Sequence, residues 1–153
     1  MYLKKGIFVG LNMAMDSKHI LIAEDETHTR FTMTLILRKY GFNVTSTKEG
    51  KAALKIITER KDSPEAVDLL ITDIQMAGFN GINLIEELEK ARLFLPIIII
   101  TGWGYEERVV ELKRKENINS IEKPFVPQEL IEMVRKSFAG TSSMVSRVSC
   151  QEA

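Results

Sequence analysis

Five short apolar segments of the chain alternate with longer segments in which apolar residues recur every three or four positions. The short segments are HILIA (19–23), FNVTST (42–47), VDLLITD (67–73), PIIIIT (96–101) and INSIE (118–122). Short runs of branched apolar residues predict buried strands, and the four consecutive isoleucines of the fourth run give the clearest signal. The more polar second run is predicted to lie at a sheet edge. The third is predicted to be central, because it is apolar nearly throughout.

The longer segments predict five helices, at 27–40, 49–61, 82–92, 105–116 and 127–138. Gly41 is expected to cap the first helix, and Pro127 suits the first turn of the last one. The inward faces are predicted from the spacing of Thr29, Met33, Ile36, Leu37 and Tyr40; of Ala53, Leu54 and Ile57; of Ile82, Ile85 and Leu88; and of Leu130, Ile131, Val134 and Phe138.

This alternation predicts an α/β fold, in which helices cover both faces of a parallel sheet. The patterned region runs over residues 18–139 as one domain. Residues 1–17 are predicted to be a loosely ordered N-terminal extension, and residues 140–153, rich in Gly, Ser and Thr at their start, a flexible C-terminal tail.

Charge and cysteine content exclude several classes of protein. The 21 basic residues balance 21 acidic ones, so no nucleic-acid-binding or anionic-membrane-binding surface is indicated. No segment approaches the roughly 18 apolar residues of a membrane span. The single cysteine, Cys150, rules out an internal disulfide bond, and we expect a reducing, cytoplasmic location.

Polar side chains follow four of the five predicted strands, at the end where α/β sheets place their ligands. Glu24 and Asp25 follow the first strand, Asp73 ends the third, Thr101 ends the fourth and Lys123 follows the fifth. Each alone is commonly a helix cap, a locally bonded hydroxyl or a surface charge. Because all of them converge on one edge of the sheet, they predict a shared site.

The residue types at this edge favour phosphoryl chemistry with magnesium. Three carboxylates suit a hard divalent cation, whereas no His or Cys ends a strand there; His19 and His28 are predicted to have structural or solvent roles. A lysine and a threonine could take phosphoryl oxygens by charge and by hydrogen bond. Asp73 then becomes a candidate nucleophile that forms an aspartyl phosphate.

The motifs ILIAEDE, LLITDIQMAGFNGINLIEEL, IIIITGWG and IEKPF together resemble those of the receiver domain of two-component response regulators. The resemblance covers about residues 18–139, in the family order and near the family spacing. It implies a doubly wound, five-stranded parallel sheet of flavodoxin-like (CheY-like) order 2-1-3-4-5 with five helices.

The resemblance also implies a role for each residue of the site. Asp73 is the phosphoacceptor, and Asp25, Asp73 and the backbone carbonyl of Gln75 bind Mg²⁺, with Glu24 acting mostly through water. Thr101 and Lys123 contact the phosphoryl group, and the Lys123–Pro124 peptide bond is cis. Gly102 leaves space for the phosphoryl group, and Gly81 opens the third helix.

Several positions depart from the family pattern. Ser120 stands where the family usually has Tyr or Phe, so no aromatic ring is available to rotate when the threonine moves. Ala77 replaces a usual proline. Gln75 and Trp103 occupy the two positions that flank the phosphoryl group and tune its lifetime. Trp103 either shields the acyl phosphate from water or packs on the loop surface.

The expected function is that of a stand-alone receiver, phosphorylated on Asp73 by a sensor histidine kinase or a histidine phosphotransfer protein. Its output would pass to an unknown protein through the face of the fourth helix, fifth strand and fifth helix, without nucleic acid or membrane. Its only catalysis would be its own phosphorylation and dephosphorylation.

Three alternatives remain open at this point. A phosphate shuttle without conformational output is mildly favoured by Ser120. A magnesium-dependent phosphohydrolase would need a general acid where Gln75 stands. A receiver-like fold that no longer takes phosphate is disfavoured, because Asp25, Asp73, Thr101 and Lys123 are all present.

Overall fold

The computed structural model describes residues 18–103 and 106–149, and their side chains except those of 106 and 141–149. The predicted N-terminal extension, Cys150 and the last residues of the tail lie outside this part. The strands are β1 (His19–Ala23), β2 (Asn43–Thr47), β3 (Leu69–Asp73), β4 (Ile97–Thr101) and β5 (Ile118–Glu122). The helices are α1 (Thr27–Lys39), α2 (Gly50–Arg60), α3 (Gly81–Lys90), α4 (Glu106–Lys113) and α5 (Pro127–Ser149).

The five strands form one parallel sheet of order β2-β1-β3-β4-β5. The fold class and strand order are therefore as predicted, with β2 at one edge and β3 at the centre. β1, β3 and β4 are buried along their whole lengths, whereas β2 is not. The predicted ends of β1 and β5 agree with the structure to the residue.

Alternate strand residues pack on opposite faces of the sheet and build two separate cores. One face, represented by Leu21, Leu70 and Ile99, packs against α2, α3 and α4. The other, represented by Ile20 and Ile98, packs against α1 and α5. Nearly all predicted inward helix residues belong to these cores. Tyr40 is an exception, because 42% of its surface is exposed.

Helix ends are the main difference from the sequence-based expectation. α1 ends at Lys39, and Gly41 adopts the positive φ of 92° that suits a helix stop. α5 begins at Pro127 as predicted but continues to Ser149, eleven residues beyond the predicted end at Phe138. Gly140 lies inside this helix and, unlike Gly41, is not among the described glycines with positive φ.

α3 approaches the end of β3 so closely that its first residue must be glycine. A Cβ atom at Gly81 would lie 2.4 Å from the carbonyl oxygen of Asp73 and 3.1 Å from Ile74 Cα. Asn80 caps the helix, because its side chain accepts from Asn83 N–H while the Asn83 side chain accepts from Asn80 N–H. The start of α3 thereby holds the segment that carries Asp73. No helix of the described residues is both long and apolar enough to cross a bilayer.

We predict that Ile98→Ala lowers the free energy of unfolding by about 2–5 kcal/mol, because it leaves a cavity in a fully buried strand. Leu35→Ala is the control, since Leu35 is 52% exposed on α1, and a surface change of this kind costs about 0.5 kcal/mol or less. Urea denaturation measures both values. Equal losses for the two variants would contradict the assigned core.

We also predict that Gly81→Ala destabilises the domain by about 1–3 kcal/mol, because backbone atoms of β3 must shift to admit the methyl group. Gly140→Ala is the matched control. It meets no atom within 4 Å, and alanine in a helix is favoured over glycine by about 0.5–1 kcal/mol. Thermal melting of the two variants should therefore shift in opposite directions, and a shared direction would refute the close approach.

Candidate phosphoacceptor site

Three carboxylates meet at the carboxyl edge of the sheet, as the strand ends predicted. Glu24, Asp25 and Asp73 each place a carboxylate oxygen within 4.8 Å of the other two. Glu24 and Asp73 are buried, whereas Asp25 is exposed. Of the three carboxylates, Asp25 is the one that is open to solvent.

Lys123 supplies the positive charge of the cluster. Its ammonium nitrogen lies 2.5 Å from Asp73 Oδ2 and 3.3 Å from Glu24 Oε2. Its backbone N–H donates to the carbonyl of Thr101, and the following peptide bond to Pro124 is cis, as predicted. Burial works to lower the pKa of Lys123, but the hydrogen bond and the negative charge of Asp73 outweigh it, so the pKa is raised and the side chain stays charged.

Glu24 is a buried carboxylate with an incomplete set of partners. Oε1 accepts from Glu26 N–H at 3.0 Å, but Oε2 has no hydrogen bond, and its contact with Lys123 is an ion pair only. Burial raises the pKa of Glu24 to about 7; the charge of Asp73 adds to this, while Glu26 N–H and Lys123 oppose it. A buried oxygen without a hydrogen bond fits the ligand of a cation.

The loop between β1 and α1 is held by contacts that the sequence did not point to. Glu24 N–H donates to the carbonyl of Thr47. The Arg30 guanidinium donates to the carbonyls of Glu24 and Asp25 at 2.8 and 3.3 Å. The only sequence signal for Arg30 is its position one turn into the helix after the acidic segment. These bonds orient the two acidic side chains toward Asp73.

Glu26 does not belong to the cluster, although it follows Asp25 directly. Its carboxylate caps α1 by accepting from the backbone N–H groups of His28 and Thr29. Hydrogen bonds from Thr29, and then the N–H of His28, lower the pKa of Glu26 to about 2. Of the three consecutive acidic residues, Glu24 and Asp25 therefore belong to the carboxylate cluster, whereas Glu26 caps the helix.

Asp73 is oriented by its own loop. Gln75 N–H donates to Asp73 Oδ1 at 2.7 Å, while Oδ2 faces Lys123. The side chain of Asp73 is almost fully buried, and Gly81 packs behind its carbonyl. Ala77, in place of a proline, offers its N–H to Asp25 Oδ2 at 3.4 Å.

Thr101 ends β4 but directs its hydroxyl away from the acidic cluster. The hydroxyl is buried and donates to the carbonyl of Ile121 in β5 at 3.4 Å. The structure therefore brings together Glu24, Asp25, Asp73 and Lys123, and places Thr101 beside them with its hydroxyl bonded to the neighbouring strand.

Gln75 bridges the two loops at the entrance. Its side-chain amide lies over Gly102, where a Cβ atom would be 3.3 Å from Gln75 Oε1, and it donates weakly to the carbonyl of Trp103 at 3.5 Å. The Trp103 side chain is 91% exposed, so in this structure it neither covers Asp73 nor packs on the loop surface. Ser120 is half-buried on β5, away from the cluster.

The donor set fits a hard divalent cation. All three ligand side chains offer carboxylate oxygens, and the unbonded Oε2 of Glu24 is one of them. The carbonyl of Gln75 as a further ligand stays a prediction. Both Glu24 and Asp73 contact the lysine, but Asp73 lies nearer to it, at 2.5 Å against 3.3 Å, which makes Asp73 the natural acceptor for a group carrying negative oxygens.

The chain is similar to known proteins in sequence and in fold. The family described as "Response regulator receiver domain" matches residues 20–135. Two-component response regulator ARR14 of Arabidopsis thaliana is 32% identical over 111 residues, 72% of this chain and 28% of its own length. Transcriptional regulatory protein ZraR of Escherichia coli K12 is 26% identical over 86% of this chain and 29% of its own length. The chain thus spans less than a third of either relative.

Solved structures agree with these matches. A response regulator receiver domain protein from Clostridium thermocellum superposes with a TM-score of 0.73 at 25% identity, over 83% of this chain and 98% of that one. NtrX from Brucella abortus does so with a TM-score of 0.72 at 30% identity, over 86% of this chain and 29% of its own. Since the family match covers most of the chain, the protein belongs to the response regulator receiver domains of two-component signalling.

Proposed function

We propose that this receiver accepts a phosphoryl group on Asp73, with Mg²⁺ held by the neighbouring carboxylates, and signals by phosphorylation-dependent contact with another protein. The observation that carries the proposal is the position of Asp73. It is buried, its Oδ1 is fixed by Gln75 N–H, and its Oδ2 is 2.5 Å from the Lys123 ammonium. A carboxylate so oriented is a competent nucleophile toward phosphorus.

In the transfer, a carboxylate oxygen of Asp73 forms a bond to phosphorus as the bond from phosphorus to the donor's histidine nitrogen breaks. The electron pair stays on that nitrogen, and the imidazole leaves in its neutral form after taking a proton. Lys123 offsets negative charge on the transferring oxygens. Thr101 would turn its hydroxyl from Ile121 to the phosphoryl group.

Asp25, Asp73 and the carbonyl of Gln75 would bind Mg²⁺ directly, and Glu24 would act mainly through water. When bound, Mg²⁺ would offset the charge of the carboxylates and of the incoming group. The support for this is the cluster of three carboxylates and the unbonded Oε2 of Glu24. The catalysis proposed is limited to the chain's own phosphorylation and dephosphorylation.

A histidine kinase or a histidine phosphotransfer protein is the proposed donor. α1 starts at the site edge and exposes Phe31 and Leu35, four residues apart on one helix face, with 62% and 52% of their surfaces open. Val126, before α5, is 56% exposed. Such apolar groups suit a helical partner. Stand-alone operation stays a prediction, because ARR14 and ZraR are each more than three times as long as the segment they share with this chain.

A phosphate shuttle is the second candidate. Its support is Ser120, since a serine cannot act as the rotating ring of the family. The shuttle would return its phosphoryl group to a histidine phosphotransfer protein without any phosphorylation-dependent binding. Rapid back-transfer, with no change in partner affinity, would favour it over the switch.

We predict that Asp73→Asn abolishes labelling by a small phosphodonor such as acetyl phosphate in the presence of Mg²⁺, because the amide is not a nucleophile. The label on the parent protein should be released by hydroxylamine, as acyl phosphates are. Asp62→Asn, an exposed loop change, is the control and should label normally. Undiminished labelling of the Asp73 variant would overturn the assignment.

Millimolar Mg²⁺ is expected to raise the melting temperature of the protein, because it relieves repulsion among the three carboxylates. Asp25→Ala should remove that increase and most of the labelling. Glu26→Ala should lower the melting temperature itself through loss of the α1 cap, yet retain the Mg²⁺ response and the labelling. A melting temperature insensitive to Mg²⁺ in the parent protein would argue against the metal site.

The half-life of the phosphoryl group should depend on Gln75 more than on the Trp103 side chain. Gln75→Ala removes the amide over Gly102 and opens the entrance to water, so hydrolysis should become several-fold faster. Trp103→Ala should change the half-life little, because the indole is exposed and only the backbone carbonyl of Trp103 meets Gln75. Loss of label over time measures both, and a larger effect at Trp103 would show that the indole covers the phosphoryl group.

A further inference from the structure

β5 ends the sheet and leaves one edge open. Two hydrogen bonds mark the ends of the ladder between β4 and β5. The Asn117 carbonyl accepts from Ile97 N–H, and Lys123 N–H donates to the Thr101 carbonyl. Because strand residues alternate in direction, Ser120 and Glu122 turn their N–H and C=O groups away from β4. Among residues 18–103 and 106–149, no hydrogen bond outside the ladder satisfies these outward groups.

At the opposite edge of the sheet, β2 has an outward backbone group that is already hydrogen-bonded. On β2, the outward carbonyl of Val44 accepts from the Arg38 guanidinium at 3.1 Å. A bonded edge cannot take another strand at that carbonyl, whereas unpaired edge groups are a template for one. Among the described residues, β2 therefore has one covered outward carbonyl, whereas Ser120 and Glu122 of β5 have none.

A groove of about 490 Å³ lies along the open edge of β5, between the strand and α5. Ser120 and Glu122 form one wall, and Met133 belongs to the other. The Ser120 side chain lies on the same face of the sheet as Ile118, which packs on the α4 side, so Ser120 meets this groove through its backbone.

The groove is negatively charged. Three glutamates line it, Glu122, Glu129 and Glu132, against a single lysine, Lys136. The Glu129 carboxylate accepts a hydrogen bond from Val126 N–H, and the Glu132 carboxylate accepts one from the side-chain amide of Gln128. Glu122 is exposed and has no ion pair or hydrogen bond with a described residue. A partner that carries positive charge would complement this lining.

We propose that the open edge of β5 is the docking site for the output partner, which adds an extended, Lys- or Arg-containing segment as a sixth strand. Backbone bonds to Ser120 and Glu122 supply the affinity, and the glutamates select the cationic segment. The proposal rests on the proposed function, because Thr101 links the site to this strand. Its hydroxyl donates to Ile121, the residue between the two docking positions.

The test starts with a random 12-residue peptide library displayed on phage, selected against the full chain with and without beryllium trifluoride, a phosphoryl mimic, and Mg²⁺. The selected sequences should be enriched in Lys and Arg, and the best peptide should slow amide exchange at Ser120 and Glu122. N-methylation of alternate peptide amides should weaken binding about tenfold, whereas methylation of the intervening ones should not.

Variants of the chain complete the design. Ser120→Pro removes one outward N–H without removing a bond to β4 and should weaken the peptide at least about tenfold. Glu122→Gln and Glu132→Gln should weaken it about threefold each. Glu59→Gln, an exposed change on α2, is the control and should leave affinity unchanged. Selected peptides without Lys or Arg, an affinity unaffected by Ser120→Pro, no slowing of amide exchange, or no selected peptide would each overturn the proposal.

Labelling of Asp73 is measured on the same samples. If the parent protein is labelled but binds no peptide, the edge proposal fails and the phosphoacceptor assignment stands. If Asp73 is not labelled, the phosphoacceptor assignment fails, and peptide binding to the protein without beryllium trifluoride still decides the edge proposal.

Discussion

Like-charge repulsion at one edge of the sheet is the constraint on which the rest of the site depends. Two carboxylates about 4 Å apart repel by roughly 4 kcal/mol at an effective dielectric constant near 20. Glu24, Asp25 and Asp73 lie at about this range, with one lysine to offset them. Burial is the main cause of the raised pKa of Glu24, and the negative charge of Asp73 raises it further.

The surrounding fold makes this costly arrangement possible. Two apolar cores, one on each face of the sheet, hold β1 and β3 so that Glu24 and Asp73 cannot separate. Arg30 fixes the first loop through its carbonyls, and Gly81 lets α3 pack against the end of β3. The stability of the cores thus maintains a site that would be unfavourable by itself, a common property of functional sites.

The proposed signal transfer would run through the backbone of β5. The ring that the family usually places at position 120 is replaced by serine, yet Thr101 still reaches the strand through the carbonyl of Ile121. The same strand exposes an unpaired edge beside a negatively charged groove. A change in the Thr101 hydroxyl can therefore alter the strand that a partner would contact, without a rotating side chain.

The sequence by itself determined the architecture and most of the site. Five apolar runs separated by helical periods allow only a parallel α/β sheet, and because carboxyl ends of parallel strands share one edge, Asp25, Asp73 and Lys123 had to converge. Only the tertiary structure decided which acidic residue is buried, that Arg30 holds the loop, and that α5 passes through Gly140. Those outcomes depend on burial, on the direction that a long side chain takes and on the backbone angle that a glycine adopts, none of which a local pattern records.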